Sequence, residues 1–218
     1  MKLLLTSSGI TNESIKKALQ KLLHKPFEEA NLAFVPTAAN VEPGDKSWLI
    51  EDIIGLQKCG FKQVDIVDIS AVSKDIWLPR LREADVIVFS GGNTYHLIHE
   101  MRRTGLVEVL KDLLKTRVYV GISAGSMVPN TNLLLTTSAK LYEETSGEVK
   151  DDSGLKYVKF HIRPHLNSPS FPNITIPYLE KKAKETNEPI YAIDNQSAVV
   201  VDGDKIEIVS EGVWKKFN

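Results

Sequence analysis

Hydrophobic and polar positions in the first 122 residues follow two alternating patterns. Short apolar runs of strand length are separated by longer segments whose apolar residues recur every three or four positions, as on one face of a helix. In residues 12–24, for example, Ile15, Leu19 and Leu22 have this spacing. The predicted strands cover residues 3–7, 32–35, 64–69, 85–90 and 118–122. The predicted helices cover residues 12–24, 48–59, 75–83, 94–102 and 106–115.

The alternation of strands and helices predicts an α/β fold, with a mostly parallel sheet and helices on both of its faces. In such a sheet, the loops that carry chemistry lie at the carboxyl ends of the strands. The last third of the chain has shorter predicted strands, and Asp202-Gly203-Asp204 is typical of a hairpin turn. These strands cover residues 133–137, 157–162, 190–193, 198–201 and 205–209, with one helix at 174–186. No internal repeat or linker is visible, so residues 1–218 are interpreted as a single domain.

Composition narrows the class of partner. The 27 basic and 28 acidic side chains are evenly spread and give a net charge of −1, so no nucleic-acid partner is expected. The single cysteine excludes an intramolecular disulfide and fits a reducing compartment. No apolar run approaches the roughly 20 residues of a membrane helix, and polar residues 6–8 interrupt the apolar start. We therefore expect a cytoplasmic protein that does not contact a membrane and is a monomer or a homodimer.

A Gly-x-Ser-x-Gly sequence follows the fifth predicted strand. Residues 121–125 read Gly-Ile-Ser-Ala-Gly, and the segment after them can begin a helix. This is the nucleophile-elbow arrangement, in which a tight turn strains the backbone at the serine and lifts its hydroxyl into a cleft. Ser123 is therefore the predicted nucleophile, and the amide of Ala124 is placed to stabilise an oxyanion. An ordinary loop between strand and helix is the competing interpretation.

A second glycine loop, Ser-Gly-Gly-Asn-Thr at 90–94, follows the fourth predicted strand. Glycines at the end of a parallel strand let backbone amides face a ligand. The amide of Gly92 is therefore the predicted second oxyanion donor. Glycine followed by a capping residue is also common at the start of a helix, so this loop alone is a weak signal.

A serine nucleophile needs a base, and His165 is the best-placed of the five histidines. It lies just beyond the predicted strand at 157–162, whose pairing Pro164 ends. A catalytic base belongs at such a carboxyl end in this architecture. A loop histidine without a role is the alternative from position alone.

Four segments in this order resemble the peptidase E (aspartyl dipeptidase) family, to which cyanophycinase is also related. They are Phe-Val-Pro-Thr-Ala at 34–38, Ser-Gly-Gly-Asn-Thr at 90–94, Gly-Ile-Ser-Ala-Gly-Ser at 121–126 and Ile-Arg-Pro-His at 162–165. The resemblance covers nearly the whole chain. It implies a flavodoxin-like sheet similar to that of class I glutamine amidotransferases, with a serine in place of the cysteine nucleophile. It also implies Ser123 as the nucleophile and His165 as the general base.

The third member of a triad does not carry over from the family. Peptidase E has an aspartate after a Thr-Thr-Asn run, where this chain reads Thr-Thr-Ser-Ala at 136–139. A group is still needed to orient the imidazole. Asp194, at the end of the predicted strand 190–193, is the first candidate, although a solvated turn aspartate is an equal interpretation. Glu143, Glu144 and Asn167 are the other candidates.

These observations predict a serine-type exopeptidase that hydrolyses short peptides within a single catalytic domain. No metal or cofactor is expected, because no metal-ligand spacing such as His-Glu-x-x-His is present. The resemblance implies di- or tripeptides with an aspartyl residue at the amino terminus. Such an anionic side chain needs a basic partner, and Arg163 is the nearest candidate. The alternative interpretation is that Arg163 is an exposed arginine with a structural role. A hydrolase of another small amide or ester, and a binding module that has lost catalysis, are the rival hypotheses.

Overall fold

The computed structural model describes residues 1–137, 143 and 151–218. The strands are β1 (Lys2–Thr6), β2 (Asn31–Val35), β3 (Gln63–Ile66), β4 (Val86–Phe89), β5 (Val118–Ile122), β6 (His161–Arg163), β7 (Ile190–Ile193), β8 (Ser197–Asp202), β9 (Lys205–Ser210) and β10 (Trp214–Phe217). The α-helices are α1 (Glu13–Leu23), α2 (Ser47–Gln57), α3 (Lys74–Glu83), α4 (Thr94–Arg103), α5 (Leu106–Leu113), α6 (Ala124–Met127) and α7 (Ile176–Ala183). Short 3-10 helices lie at Phe27–Glu29 and Thr37–Ala39.

The larger sheet has seven strands in the order β3-β2-β4-β5-β1-β8-β9. The first five are parallel to one another, whereas β8 and β9 pair antiparallel. When the strands are counted from β2, the part β3-β2-β4-β5 has the order 2-1-3-4. A flavodoxin-like sheet begins with this order. The predicted α/β fold is therefore confirmed, as is the hairpin, since Asp202 pairs with Lys205 across a two-residue turn.

Helices cover both faces of this sheet, because side chains alternate between the faces along each strand. In β1, Leu4 packs with Leu19 of α1 and Leu56 of α2 in one buried cluster. Leu3 and Leu5 belong to the cluster on the other face. That second cluster includes Trp77 of α3, Leu97 of α4 and Leu110 of α5. This two-sided burial explains the continuous apolar runs of the central strands.

A smaller sheet of three strands, in the order β10-β7-β6, holds the carboxyl-terminal part of the site. β6 runs parallel to β7, and β10 pairs antiparallel with β7. Its own apolar cluster includes Leu166, Leu179 and Phe217. β10 was not predicted, because its sequence Trp-Lys-Lys-Phe has too few apolar residues for a strand signal.

Two predicted strands are wrong in whole or in part. Residues 133–137 form turns, and their apolar side chains Leu133 and Leu135 are buried without pairing in a sheet. Of residues 157–162, only the end is in a strand, because the amides of Tyr157 and Val158 donate to Pro129 O instead. Residues 138–139, where the family aspartate was expected, and Glu144 lie outside the described residues.

None of the helices in the described ranges is long and apolar enough to span a lipid bilayer.

Candidate active site

Ser123 occupies a sharp turn between β5 and α6. Its backbone has φ 49° and ψ −105°, a conformation that non-glycine residues rarely adopt. The amide of Ser123 donates to Thr6 O at 3.0 Å, and Ser126 Oγ donates to the same carbonyl at 2.7 Å. Tyr119 Oη donates to Gly125 O at 2.6 Å from the other side. These bonds hold the strained serine at the carboxyl end of the sheet, as the elbow motif predicts.

The two glycines of the motif are required by close backbone approach. A Cβ at Gly121 would lie 2.5 Å from Gly125 O, and a Cβ at Gly125 would overlap Phe89 O of the neighbouring strand. Neither neighbour is a flexible side chain, so the overlap cannot be relieved locally. The turn therefore forms only with glycine at both positions.

His165 reaches Ser123 from just beyond the end of β6. Its Nε2 lies 2.8 Å from Ser123 Oγ, which is hydrogen-bond distance. Its backbone has φ 65°, and its amide donates to Ser7 Oγ at 2.8 Å. The imidazole also stacks on Phe171, with ring centroids 4.2 Å apart and an interplanar angle of 12°. The structure thus brings together the two residues predicted to be nucleophile and base.

Asn195 and Ser7 contact the other nitrogen of the imidazole. Asn195 Oδ1 lies 3.1 Å and Ser7 Oγ 3.2 Å from His165 Nδ1, and Ser7 Oγ donates to Asn195 Oδ1 at 2.9 Å. An amide oxygen only accepts hydrogen bonds, so this contact favours the tautomer with the proton on Nδ1. Nε2 is then left free to accept the proton of Ser123, as a general base must.

Asp194 does not reach the imidazole, which corrects the expectation that it is the third member. Its carboxylate accepts hydrogen bonds from the amides of Val213 at 2.6 Å and Gln196 at 3.0 Å, and from Ser197 Oγ at 2.6 Å. It therefore stabilises the turn between β7 and β8. The residue beside it, Asn195, faces the histidine instead.

Of the other candidates for the third member, the structure describes Asn167 and Glu143, and neither hydrogen-bonds to the imidazole. Asn167 is exposed, and its backbone N–H donates to Ile174 O. Glu143 is exposed as well.

The protonation state of His165 suits a base. Burial lowers the pKa of its imidazole to about 4, while the hydrogen bond that Nδ1 donates to Asn195 opposes this effect and Arg163 adds a smaller lowering. The imidazole is therefore neutral at neutral pH and able to accept a proton. A neutral asparagine in place of a carboxylate is consistent with this low pKa, because it adds no negative charge to stabilise the imidazolium.

Backbone amides lie beside Ser123 at the ends of two neighbouring strands. A Cβ at Gly91 would lie 3.3 Å from Ser123 Cβ, so the glycine loop after β4 directly borders the nucleophile. Within the described residues, the amides of Gly92 and Ala124 donate to no other backbone group. Ala124 directly follows Ser123 and is the first residue of α6. The glycine loop and the first residue of α6, which carry the two predicted oxyanion donors, thus lie beside the serine.

We expect Gly92→Ala to lower the free energy of unfolding by more than about 2 kcal/mol. Gly92 has φ 123°, and a Cβ there would overlap Ala38 O and lie 2.7 Å from Ala39 N. Gly44→Ala is the matched control, because Gly44 has φ 83° but its Cβ position has no atom of the described part of the chain within 4 Å. The control is expected to cost about 1 kcal/mol from backbone strain alone. Urea unfolding of both variants measures the difference, and equal costs would contradict the overlap.

Three residues of the site were missed in the sequence: Ser7, Phe171 and Asn195. Ser7 directly follows β1, the strand that pairs with β5, so a small polar residue there was a usable signal. Asn195 is the second residue after β7, and the aspartate before it was the more obvious candidate. Phe171 lies in a loop with no periodicity, and its stacking on His165 depends on how residues 166–173 fold back.

The arrangement defines a class. A strained serine at a strand-to-helix turn, hydrogen-bonded to a neutral histidine and bordered by free amides, is the geometry of nucleophilic acyl transfer. Hydrolases with a nucleophile elbow combine an α/β fold with a turn of this kind.

The sequence profile of Peptidase family S51 matches residues 3–209, and the chain belongs to this family of peptidases. The chain is 27% identical over 186 residues to an uncharacterized peptidase of Pasteurella multocida. The aligned residues cover 82% of this chain and 84% of that protein. It is 34% identical over 89 residues to a peptidase E of Shewanella oneidensis, covering 40% of this chain and 36% of that protein. The resemblance to the peptidase E family is therefore confirmed.

Solved structures agree with the family. A candidate peptidase E from Listeria monocytogenes EGD-e superposes with a TM-score of 0.81 at 25% identity, covering 97% of this chain and 98% of that one. A peptidase from an acI-B1 Actinobacterium has a TM-score of 0.67 at 17% identity over 99% of this chain and 93% of that one, which supports the fold alone.

Proposed function

We propose that this peptidase is a serine-type exopeptidase that hydrolyses short peptides with Ser123 as nucleophile and His165 as general base. The observation that supports this most directly is the 2.8 Å contact between His165 Nε2 and Ser123 Oγ at a strained turn. Asn195 acts as a positioning residue, because its oxygen holds the imidazole in the tautomer that leaves Nε2 unprotonated.

In the first half of the reaction, Ser123 Oγ attacks the carbonyl carbon of the scissile bond while His165 Nε2 takes the hydroxyl proton. The negative charge that develops on the carbonyl oxygen is stabilised by the amides of Gly92 and Ala124. The imidazolium then donates its proton to the leaving amine, and the carbon–nitrogen bond breaks. An acyl ester on Ser123 and a free amine are the products of this half.

In the second half, His165 Nε2 takes a proton from a water molecule that attacks the acyl ester. The same amides stabilise the second oxyanion. Return of the proton to Ser123 Oγ releases the carboxylic acid and restores the starting state.

Labelling with a fluorophosphonate probe tests the proposal. We expect covalent modification of Ser123, located by peptide mass mapping, in the wild-type protein. Ser123→Ala should remain unlabelled and His165→Ala should be labelled far more slowly, because the hydroxyl is then no longer activated. A folded wild-type protein that is not labelled would support the rival hypothesis of a binding module without catalysis.

Specificity for an acidic first residue is part of the proposal, with Arg163 as its cation. The side chain is only 2% exposed, which corrects the interpretation as an exposed structural arginine. Its Nε and Nη2 have no hydrogen-bond partner among the described residues, and burial lowers the pKa of its guanidinium to about 10. An acidic side chain would offset the cost of this buried, unpaired cation.

A dipeptide panel with Asp, Glu, Ala and Leu at the first position tests this specificity. We expect the acidic dipeptides to be cleaved faster, and Arg163→Met to reduce that preference. Equal turnover of all four peptides would leave a peptidase without aspartyl specificity. If small esters or other amides were turned over and none of the four dipeptides were, the protein would be a hydrolase of another small amide or ester, which is a rival hypothesis.

A further inference from the structure

The wall of the cleft formed by α2 carries a carboxylate that the reaction above does not use. Trp48 and Asp52 are four residues apart in α2 and therefore lie on one face of the helix. Trp48 Cζ3 lies 3.4 Å and Ser123 Cβ 3.3 Å from the position that a Cβ at Gly91 would take. The indole thus borders the nucleophile, and Asp52 lies on the same side of the cleft, one helical turn further on.

Asp52 lies beside the loop that follows β1. Its Oδ1 lies 3.1 Å, and Ile122 Cδ1 3.4 Å, from the position that a Cβ at Gly9 would take. Ile122 directly precedes Ser123 in the chain. The width of one short loop therefore separates the carboxylate from the residues that form the elbow.

The carboxylate of Asp52 has no hydrogen bond and no ion pair with any residue that the structure describes. Its side chain is half-buried. Burial, with a smaller effect of Glu51, raises the pKa of Asp52 to about 7. A desolvated carboxylate without donors is costly, so a cation that donates hydrogen bonds to it would be bound favourably.

We propose that Asp52 binds the free α-ammonium group of the substrate and so makes the enzyme specific for the amino-terminal residue. This inference rests on the proposed function, because Ser123 fixes where the scissile carbonyl lies. In an amino-terminal residue, the ammonium nitrogen and the scissile carbon share one Cα and lie about 2.5 Å apart. A cation bound beside the elbow therefore belongs to the residue whose carbonyl is attacked. A lysine side chain is the other source of a primary ammonium.

Three p-nitroanilide substrates distinguish an α-ammonium group from the ammonium group of a lysine side chain. The first is the aminoacyl p-nitroanilide with the side chain that the dipeptide panel prefers, the second is its analogue without the amino group, and the third is Nα-acetyl-lysyl p-nitroanilide. We expect Asp52→Asn to lower kcat/KM for the first substrate by about 10- to 100-fold, mainly through KM. The effect on the analogue should be at most about twofold, because it has no ammonium to lose. Loss confined to the lysyl substrate would overturn the assignment to the α-ammonium.

Glu51→Gln is the matched control, because it removes the same charge from the exposed neighbouring position of α2. We expect it to leave the kinetics of all three substrates unchanged. Equal losses for Asp52→Asn on the aminoacyl substrate and on its analogue would show a structural role and overturn the proposal. No loss on the aminoacyl substrate would also overturn it.

Failure of the proposed function would give a different result. The fluorophosphonate probe has no ammonium, so an unlabelled wild-type protein would contradict catalysis by Ser123 without reference to Asp52. Calorimetric binding of the preferred dipeptide to Ser123→Ala, with and without Asp52→Asn, measures the ammonium site without turnover. We expect the second substitution to weaken binding by about 10- to 100-fold, and unchanged binding would contradict the site.

Discussion

Replacing Ser123 with alanine is expected to lower kcat by about 10⁴- to 10⁶-fold on the preferred dipeptide. The variant loses the oxygen that forms the acyl ester, so only transition-state stabilisation by the amides of Gly92 and Ala124 is left. KM should change little, because the hydroxyl contributes little to binding of the ground state. The measurement is peptide hydrolysis over long incubation, with the released amine quantified against the spontaneous rate.

His165→Ala should reduce kcat by a similar factor, and the double variant should be no worse than either single one. Residues that act as one catalytic unit give losses that do not add. Their 2.8 Å hydrogen bond is the structural reason to expect this. Losses that multiply in the double variant would contradict a shared proton-transfer step. Ser126→Ala is a useful control, since this buried serine of α6 donates to Thr6 O and does not contact the imidazole.

The strained turn at Ser123 could be predicted from the sequence because its constraints are local. An apolar strand that runs into Gly-x-Ser-x-Gly fixes the turn, and Gly121 and Gly125 are required by backbone approach within and beside that turn. The order of strands and helices was predictable for the same reason, since two-sided burial gives β4 and β5 their uninterrupted apolar runs. Local patterns of this kind can be read directly from residue types.

The partner of His165 could not be predicted because it depends on which of two adjacent side chains turns towards the cleft. Asp194 and Asn195 both follow β7, and chemical type favoured the aspartate as the orienting group. The amides of Gln196 and Val213 engage that carboxylate in the turn, and this leaves the asparagine to face His165. Val213 precedes β10, a strand without a sequence signal, so this competition was not visible.

The position of α2 against the cleft was equally hidden. The periodicity of residues 48–59 predicts a helix, but its buried face is set by packing against the sheet. The placement of Trp48 and Asp52 beside Gly91 and Gly9 depends on that packing. The residues that we propose to determine specificity are therefore less predictable than those that we propose to be catalytic.

Replacing Asn195 with alanine should lower kcat by about 10²-fold or more, because the imidazole then loses the acceptor that holds its tautomer. Asn195→Asp should have a different effect, seen in the pH dependence of labelling by the fluorophosphonate probe. In the wild-type protein, the pKa of His165 is lowered to about 4 by burial, so the labelling rate should fall to half near pH 4 as the base becomes protonated. It should be constant from about pH 6 to neutrality, because the imidazole is already neutral there.

A carboxylate at position 195 would stabilise the imidazolium and raise the pKa of His165. The labelling rate of Asn195→Asp should therefore begin to fall at a higher pH than that of the wild-type protein. Asn167→Gly is the matched control, since Asn167 is exposed, has φ 57° and makes no hydrogen bond to the imidazole. Circular dichroism at each pH verifies that the proteins are folded. If the labelling rate of Asn195→Asp still fell to half near pH 4, residue 195 would not control the protonation of His165. Ser7 would then be the group that positions His165.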